Sequence, residues 1–389
     1  MLPPLVAEDW QNAGFGLYVH WPFCQSKCPY CDFNSHVSGK VDQAVWADAL
    51  VSEVRRVGDE LGRRPLTSVF FGGGTPSLME EHAVGAVIDA ATDVFAPTND
   101  LEITLEANPS SVERSRFEGY RAAGVNRVSL GVQALNDKDL RALGRLHSVA
   151  EARAAIDTAQ STFDEVSFDL IYARQNQSAE AWEAELNEAL SIGTGHLSLY
   201  QLTIEPDTAF GDRHARGRLR GLPTDDTGAD MFAATEMICS AAERPGYETS
   251  NHARPGSECK HNMIYWQSGD YAGVGPGAHG RHTLGGARYA TEAIRAPSDW
   301  LSQVQSRGDG EALREEVDAM DRADEFLLMG LRTRQGIDLN RYFSLGGKLQ
   351  TERVKELESG GWIKTDKNQL RVTAAGRPIL NAILRELLT

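Results

Sequence analysis

The stretch YVHWPFCQSKCPYCDFN, residues 18–34, contains three of the five cysteines of the chain: Cys24, Cys28 and Cys31. They follow an apolar, aromatic run that predicts the first strand, so the spacing C-x3-C-x2-C falls on the loop after that strand. Three thiolates can hold three irons of a four-iron cluster and leave the fourth iron open to a small molecule. The spacing therefore favours a 4Fe-4S cluster.

The other two cysteines, Cys239 and Cys259, are isolated, so the thiols do not form a disulfide framework. Clustered thiols of this kind indicate a metal in a reducing compartment. A structural zinc is the alternative to the cluster, but zinc needs a fourth ligand. The nearest histidines, His20 and His36, stand at no familiar zinc spacing, so the pattern favours iron and sulfur.

Composition limits the function classes that remain. The 389 residues are 41% hydrophobic and 24% charged, which is typical of a globular protein large enough for two domains. The formal net charge of -16 predicts no nucleic acid as main partner, because a polyanion would be repelled. No apolar run reaches about 20 residues and the N-terminus lacks a signal-peptide pattern, so we expect a cytoplasmic protein.

Short apolar runs alternate with amphipathic segments in the first part of the chain. Each run is rich in β-branched or aromatic residues and ends at Gly, Pro or a polar residue, as buried parallel strands do. Six strand-helix units in series predict an α/β fold, a partial (β/α)6 TIM-type barrel. The predicted strands are 16–21, 67–74, 101–109, 126–133, 165–173 and 196–204.

The chain after the predicted barrel divides into two segments. The first has weak periodicity and many glycines, and we expect a connecting, partly irregular region. In the second, helices precede a short hairpin with Lys and Asn at its turn, a winged-helix-like arrangement whose slight basic excess favours packing over DNA binding. The predicted domains are a lead-in at 1–15, the barrel at 16–235, the connection at 236–320 and the C-terminal domain at 321–389.

The cysteine segment resembles that of radical S-adenosylmethionine (radical SAM) enzymes, which have an aromatic residue before the last cysteine, here Tyr30. Tyr18, His20, Pro22 and Phe23 are similar to the branch that contains oxygen-independent coproporphyrinogen III oxidase and the HemW heme chaperones. The resemblance implies a 4Fe-4S cluster whose open iron binds SAM. An electron through the cluster then splits a carbon-sulfur bond of SAM to give a 5'-deoxyadenosyl radical, while the protein supplies binding and orientation.

Polar residues at the strand ends gain a functional meaning here, because ligands of a (β/α) barrel sit at the C-terminal ends of its strands. Glycines let the backbone approach a ligand, carboxylates suit ribose hydroxyls, and Arg or Gln suit a carboxylate or ring edge. Together with the resemblance, these positions imply the SAM contacts. They are Tyr18 and Tyr30 by the cluster, Gly73, Gly74 and Thr75 at the methionine end, and Glu106, Gln133, Arg145 and Asp169 for the rest.

Two features are more similar to the chaperones than to the oxidase. The oxidase has a longer N-terminal arm and a further cysteine two positions after the third, where this chain has Phe33. The segment HNMIYW resembles the heme-binding HN-x2-YW motif of the HemW group, which implies heme contacts from His261, Asn262, Tyr265 and Trp266, with His261 a candidate axial ligand. The other interpretation is a hydrogen-bonded histidine among core aromatic residues.

The resemblance therefore implies a heme chaperone with a 4Fe-4S cluster, SAM and heme as cofactors. The expected partners are heme-accepting proteins, including membrane hemoproteins contacted peripherally, and an electron donor of the flavodoxin or ferredoxin type. Two other functions stay open at this point: oxidative decarboxylation of coproporphyrinogen III, and a zinc-stabilised binding module.

Overall fold

The computed structural model describes residues 8–388, so residues 1–7 of the predicted lead-in lie outside it. Its strands are β1 Phe15–Trp21, β2 Phe23–Cys24, β3 His36–Val37, β4 Pro65–Gly73, β5 Ala96–Ala107, β6 Arg127–Gln133, β7 Glu165–Tyr172, β8 His196–Gln201, β9 Asn251–Ala253, β10 Asp270–Val274, β11 His279–Leu284, β12 Ala287–Ala293, β13 Glu311–Val317, β14 Ile337–Asp338, β15 Ile363–Asp366 and β16 Gln369–Val372. Its α-helices are α1 Gln43–Leu61, α2 Glu81–Val94, α3 Ser111–Arg114, α4 Phe117–Ala122, α5 Asp137–Ala142, α6 Val149–Thr162, α7 Ala179–Ser191, α8 Ala209–Ala215, α9 Asp225–Ala241, α10 Lys260–Trp266, α11 Pro297–Arg307, α12 Ala319–Gly330, α13 Leu339–Ser344, α14 Thr351–Ser359 and α15 Leu380–Leu387.

Eleven strands form one sheet in the order β13-β12-β11-β10-β1-β4-β5-β6-β7-β8-β9. All neighbours from β10 to β8 are parallel, whereas β9, β11, β12 and β13 pair antiparallel. The six predicted strands are confirmed as consecutive parallel neighbours, β1 and β4 to β8. Helices connect them, so the α/β partial barrel is confirmed.

The expectation of a partly irregular connection over residues 236–320 is wrong. This segment supplies five strands of the main sheet: β9 lies at one edge beside β8, and β10 to β13 extend the other edge beyond β1. Its glycines allow neighbouring strands to approach closely. A Cβ on Gly273, for example, would collide with the carbonyl group of His279. Glycine-interrupted strands with few apolar residues leave little periodicity to read in a sequence.

Helix α1 shows how local sequence signals build the layer outside the sheet. The Asp42 carboxylate caps it by accepting a hydrogen bond from the Val45 amide at 3.2 Å, and the helix ends before Gly62, whose φ is 71°. Leu50 and Val54 lie on its buried face against the sheet. The apolar spacing of three and four residues therefore does predict the packing face.

Aromatic packing connects the cysteine segment to this helical layer. Trp46 of α1 stacks on Trp300 of α11 with ring centroids 5.5 Å apart. Trp46 also meets Trp21 and Phe23 edge-on, at 6.0 and 4.9 Å. Because Phe23 directly precedes Cys24, this buried cluster holds the start of the cysteine loop in place.

The C-terminal domain has a buried cluster of its own, which runs from Ala323 to Leu387. Its helices precede the hairpin of β15 and β16, and β14 completes a three-stranded sheet. Lys367, at the turn of the hairpin, has a left-handed φ of 56°. The winged-helix-like arrangement is confirmed, and the separate clusters support a boundary near residue 320, which like the other domain boundaries stays a prediction.

Ion pairs dock the C-terminal domain on the barrel. Arg341 of α13 pairs with Asp9 at 2.7 Å, and Arg281 of β11 pairs with Glu325 of α12 at 3.0 Å. These contacts place α12 beside β11. No helix within residues 8–388 is long and apolar enough to cross a membrane.

Candidate functional site

A first cavity of about 570 Å³ opens at the C-terminal ends of the parallel strands. Parallel strands end at the same edge of a sheet, so side chains that are far apart in sequence meet there. The cavity collects the three clustered cysteines and the predicted SAM residues other than Tyr18. They are Cys24, Cys28, Tyr30, Cys31, Gly73, Gly74, Thr75, Glu106, Gln133, Arg145 and Asp169.

The three thiols lie on one loop at the wall of the first cavity. Cys24 ends β2, and the Cys31 amide donates to the Cys28 carbonyl at 3.1 Å, which folds the loop back on itself. Thr75 Oγ1 donates to Cys24 Sγ, and Arg145 Nη1 lies close to Cys28 Sγ, both at 3.4 Å. All three cysteines are free thiols. This donor set fits an iron-sulfur cluster, whose irons take thiolate ligands.

The candidate fourth ligands for zinc are engaged elsewhere. His20 Nδ1 lies 3.0 Å from the Tyr18 hydroxyl, and His20 Nε2 lies 2.9 Å from the Asn34 carbonyl oxygen. His36 Nε2 lies 3.1 Å from Asn34 Oδ1. In the part of the chain that the structure describes, no three His, Cys, Asp or Glu side chains are gathered around a single metal position.

Gly73 and Gly74 bring the end of β4 against the cysteine segment. Gly73 has a φ of 110°, and a Cβ there would lie 2.6 Å from the His20 ring. A Cβ on Gly74 would lie 2.8 Å from the Phe23 carbonyl oxygen, and the Gly74 amide donates to the Trp21 carbonyl at 2.7 Å. A larger residue at either position would push the strand end away from the thiols.

Two carboxylates, Glu106 on β5 and Asp169 on β7, line the first cavity together. Burial, with the nearby charge of Asp169, raises the pKa of Glu106 to about 8. Burial also raises the pKa of Asp169 to about 6, against the hydrogen bonds of Ser198 and Ser129 and the charge of Arg145. Partly desolvated carboxylates suit a ligand that donates hydrogen bonds or carries positive charge.

In the ligand-free protein, the free energy of unfolding should decrease less between about pH 5 and pH 8 when Glu106 is replaced by Gln. The folded-state pKa is raised from 4.5 to about 8, so the folded state binds more protons in this window and the free energy of unfolding falls as pH rises. The variant should be more stable than the parent at pH 8 by on the order of 2 kcal/mol. Thermal melts across the window measure this, with exposed Glu183→Gln as matched control. Equal pH profiles for Glu106→Gln and the parent would contradict it.

Asn108 joins two of the predicted residues and was missed by the sequence analysis. Its Nδ2 donates to Thr75 Oγ1 at 3.2 Å, and its Oδ1 accepts from Arg145 Nη2 at 2.5 Å. Asn108 follows Glu106 by two positions, so the same rule of polar residues at strand ends would have found it. Gln133, at the end of β6, has a φ of 76°, a strained conformation of the kind that clusters at ligand sites.

A second cavity of about 520 Å³ adjoins the first, and Phe33, Gly73 and Glu106 line both. Tyr18, which the sequence placed beside the cluster, lines this second cavity instead. Strand alternation is the reason, because Tyr18 and His20 of β1 share the face that looks into the barrel. The structure thus places Tyr18 in the second cavity, and its contact with the cluster or SAM stays a prediction.

His261 is a buried, hydrogen-bonded histidine on α10, with 1% of its surface exposed. Its Nδ1 lies 2.7 Å from Ser68 Oγ, and its Nε2 lies 2.7 Å from the Tyr265 hydroxyl. Burial lowers its pKa to about 3, so the ring is neutral. Both ring nitrogens are engaged, and neither is free to ligate iron in this structure.

The other three motif residues do not share one cavity. Tyr265 lines the second cavity. Asn262 Nδ2 donates to the Tyr247 hydroxyl at 3.5 Å, and Trp266 Nε1 is buried without a hydrogen-bond partner. The geometry therefore connects the motif to a cavity through Tyr265, and the heme contacts of the four residues stay a prediction.

Comparison with known proteins relates this chain to a family. The radical SAM superfamily profile matches residues 18–189, and the HemN C-terminal domain profile matches residues 317–379. The heme chaperone HemW of Escherichia coli (strain K12) is 35% identical, over 98% of this chain and 98% of that protein. Its counterpart in Haemophilus influenzae is 34% identical, over 100% of this chain and 99% of that protein.

Two further relatives extend the comparison. The mitochondrial radical S-adenosyl methionine domain-containing protein 1 of Bos taurus is 38% identical, over 96% of this chain and 87% of that protein. Among solved structures, coproporphyrinogen III oxidase (HemN) from Escherichia coli superimposes with a TM-score of 0.80 at 21% identity, over 96% of this chain and 90% of that one. At that identity the match demonstrates a shared fold.

Proposed function

Because the chain belongs to the HemW family of radical SAM proteins, we propose that it binds heme and delivers it to heme-accepting proteins. The observation that carries the proposal is the pair of adjoining cavities. One is lined by Cys24, Cys28 and Cys31, and the other is lined by aromatic and cationic side chains next to the C-terminal domain. Separate sites for SAM and for a second, larger ligand are what such a protein needs.

The first cavity is the proposed site of the cluster and of SAM. The three thiols would hold three irons, and the bound cluster and SAM would supply reductive cleavage of SAM when an electron arrives. The remaining roles belong to side chains of the cavity. Glu106 and Asp169 would accept hydrogen bonds from the ligand, and Arg145, held by Asn108, would pair with its carboxylate.

Phe33 supports a chaperone over an oxidative decarboxylase. By the family resemblance it stands where the oxidase has its additional cysteine; it lines both cavities and is 59% exposed. A phenyl ring provides neither a thiol nor a proton at that place. The family relatives with the same overall length are named heme chaperones, which agrees with this choice.

We further propose the partners and location that the family resemblance implies. Heme-accepting proteins, an electron donor of the flavodoxin or ferredoxin type, and peripheral contact with membrane hemoproteins fit a cytoplasmic carrier. The exposed side chains of Phe33 and Leu146 at the first cavity support the approach of another protein near the cluster. Nucleic acid is not among the proposed partners, since the net charge is -16.

The protein should bind heme and should not convert coproporphyrinogen III to protoporphyrinogen IX. The expectation rests on Phe33 at the position of the oxidase's additional cysteine. Decarboxylation is measured by anaerobic incubation with coproporphyrinogen III, reductant and SAM. Heme binding is measured by a spectrophotometric heme titration. Coproporphyrinogen III oxidase from Escherichia coli serves as the positive control for decarboxylation. Robust decarboxylation by this chain would move the assignment to the oxidase.

A further inference from the structure

The second cavity combines flat aromatic walls with arginine side chains. The rings of Tyr18, Tyr265 and Tyr271 line it, and Leu328 and Met329 of α12 close it from the C-terminal domain. The cationic side chains of the lining are Arg281, Arg288 and Arg295. The lining also contains the carboxyl groups of Glu106 and Glu325, so the three arginines leave a formal excess of one positive charge there, in a chain whose net charge is -16. The lining therefore suits a planar ligand that carries negative groups.

Two of the three arginines can receive a ligand carboxylate. Arg288 is committed to the fold, because its two terminal nitrogens donate to the Ser268 and Gly269 carbonyls at 3.0 Å. Arg295 is 72% exposed, with its nearest carboxylate 3.9 Å away. Arg281 donates from Nε and Nη2 to Glu325 and from Nη1 to the Gly280 carbonyl at 3.1 Å. It is 25% exposed, against 5% for Arg288, and two of its five N–H donors remain for a ligand.

One histidine of the second cavity has an available ring nitrogen. His20 uses both of its nitrogens in hydrogen bonds, as described above. His279 is 58% exposed, and its Nε2 is 4.0 Å from Glu292 Oε1, which is beyond hydrogen-bond distance. Imidazole nitrogens are common iron ligands in heme proteins.

We propose that the second cavity holds the heme macrocycle, with its carboxylates on Arg281 and Arg295 and its iron toward His279. The proposal rests on the proposed function and adds the location and anchors of the ligand. The volume of about 520 Å³ lies in the range of sites for ligands of drug size or larger. His261 then acts as a positioning residue, because it holds the Tyr265 hydroxyl without lining the cavity.

The location also assigns a role to the C-terminal domain. Leu328 and Met329 of α12 form part of the wall, and Glu325 of the same helix orients Arg281. The domain packs against the barrel to complete the cavity, which accounts for a winged-helix-like arrangement in a protein not predicted to bind nucleic acid.

Removing the carboxylate anchors should weaken heme binding selectively. The double variant Arg281→Gln with Arg295→Gln should bind heme about tenfold to a hundredfold more weakly, the effect of losing charged hydrogen bonds. Heme dimethyl ester, in which both carboxylates are blocked, should bind the variant and the parent equally. Arg307→Gln, at the exposed end of α11, is the matched control and should behave as the parent.

Removing the imidazole should affect only the iron. His279→Ala should shift the Soret band and lower heme affinity, and it should leave the affinity for iron-free protoporphyrin IX unchanged. That porphyrin keeps both carboxylates and the ring, so the comparison separates iron ligation from the rest of the site. An unchanged Soret band and affinity would overturn ligation by His279.

The outcomes separate the site from the function. A parent protein that binds no heme would reject the proposed function itself. A parent that binds heme, with a double variant that binds it equally well, would reject the second cavity and leave the function standing. Cluster content and thermal melts check folding, and if Arg281→Gln disturbs it, Arg295→Glu alone keeps the test, since that side chain is 72% exposed.

Discussion

We expect that replacing Cys24, Cys28 or Cys31 by Ala abolishes the iron-sulfur cluster. Each residue supplies one of three thiolates, and two thiolates do not hold a four-iron cluster. The remaining cysteines cannot substitute. Cys239 is fully buried on α9, and Cys259 is 3% exposed with its thiol 3.4 Å from Glu102 Oε1. Loss of the cluster should also remove SAM binding through iron.

Iron and sulfide content and the electron paramagnetic resonance signal of the reduced protein measure this loss. Cys239→Ala is the matched control, because it removes a thiol elsewhere in the fold and should keep the cluster. The anaerobically prepared parent should contain iron and sulfide. Stoichiometric zinc without either would establish the zinc-stabilised module instead.

Replacing Glu106 or Asp169 by Ala should weaken SAM binding about tenfold or more and leave the cluster intact. Both carboxylates line the first cavity, and neither is one of the three thiols proposed to hold the cluster. Their raised pKa values reflect desolvation, so a ligand that donates hydrogen bonds should be held more strongly there than at the surface. The loss on truncation follows from that burial.

Equilibrium binding of SAM to the anaerobic, cluster-containing protein provides the readout, with iron content measured on the same samples. Asp157→Ala, on the exposed face of α6, removes a carboxylate far from the cavity and should bind SAM as the parent does. Parental affinity in both Glu106→Ala and Asp169→Ala would mean that SAM does not occupy the first cavity as proposed.

Local signals in the sequence were sufficient for six of the seven parallel strands of the sheet and for the cysteine loop. β1 and β4 to β8 are buried parallel strands, so their apolar runs are dense enough to read without neighbours. The thiols of Cys24, Cys28 and Cys31 lie within eight residues, and their grouping needs no tertiary contact. Strand ends such as Glu106 and Asp169 follow from the same rule, because parallel strands must end at one edge.

Tertiary structure alone decided the second cavity. β10 and β11 each contain a glycine, and β12 and β13 are made mostly of small, polar or charged residues. Their sequence therefore carried only a weak period, and Arg281 and Arg295 had no place in a predicted site. The direction of Tyr18 depended on which face of β1 looks into the barrel. The hydrogen bonding of the His261 ring depended on Ser68, which lies 193 positions away in the chain. Contacts between segments so distant leave no local pattern, and they arise only when the sheet brings those segments together.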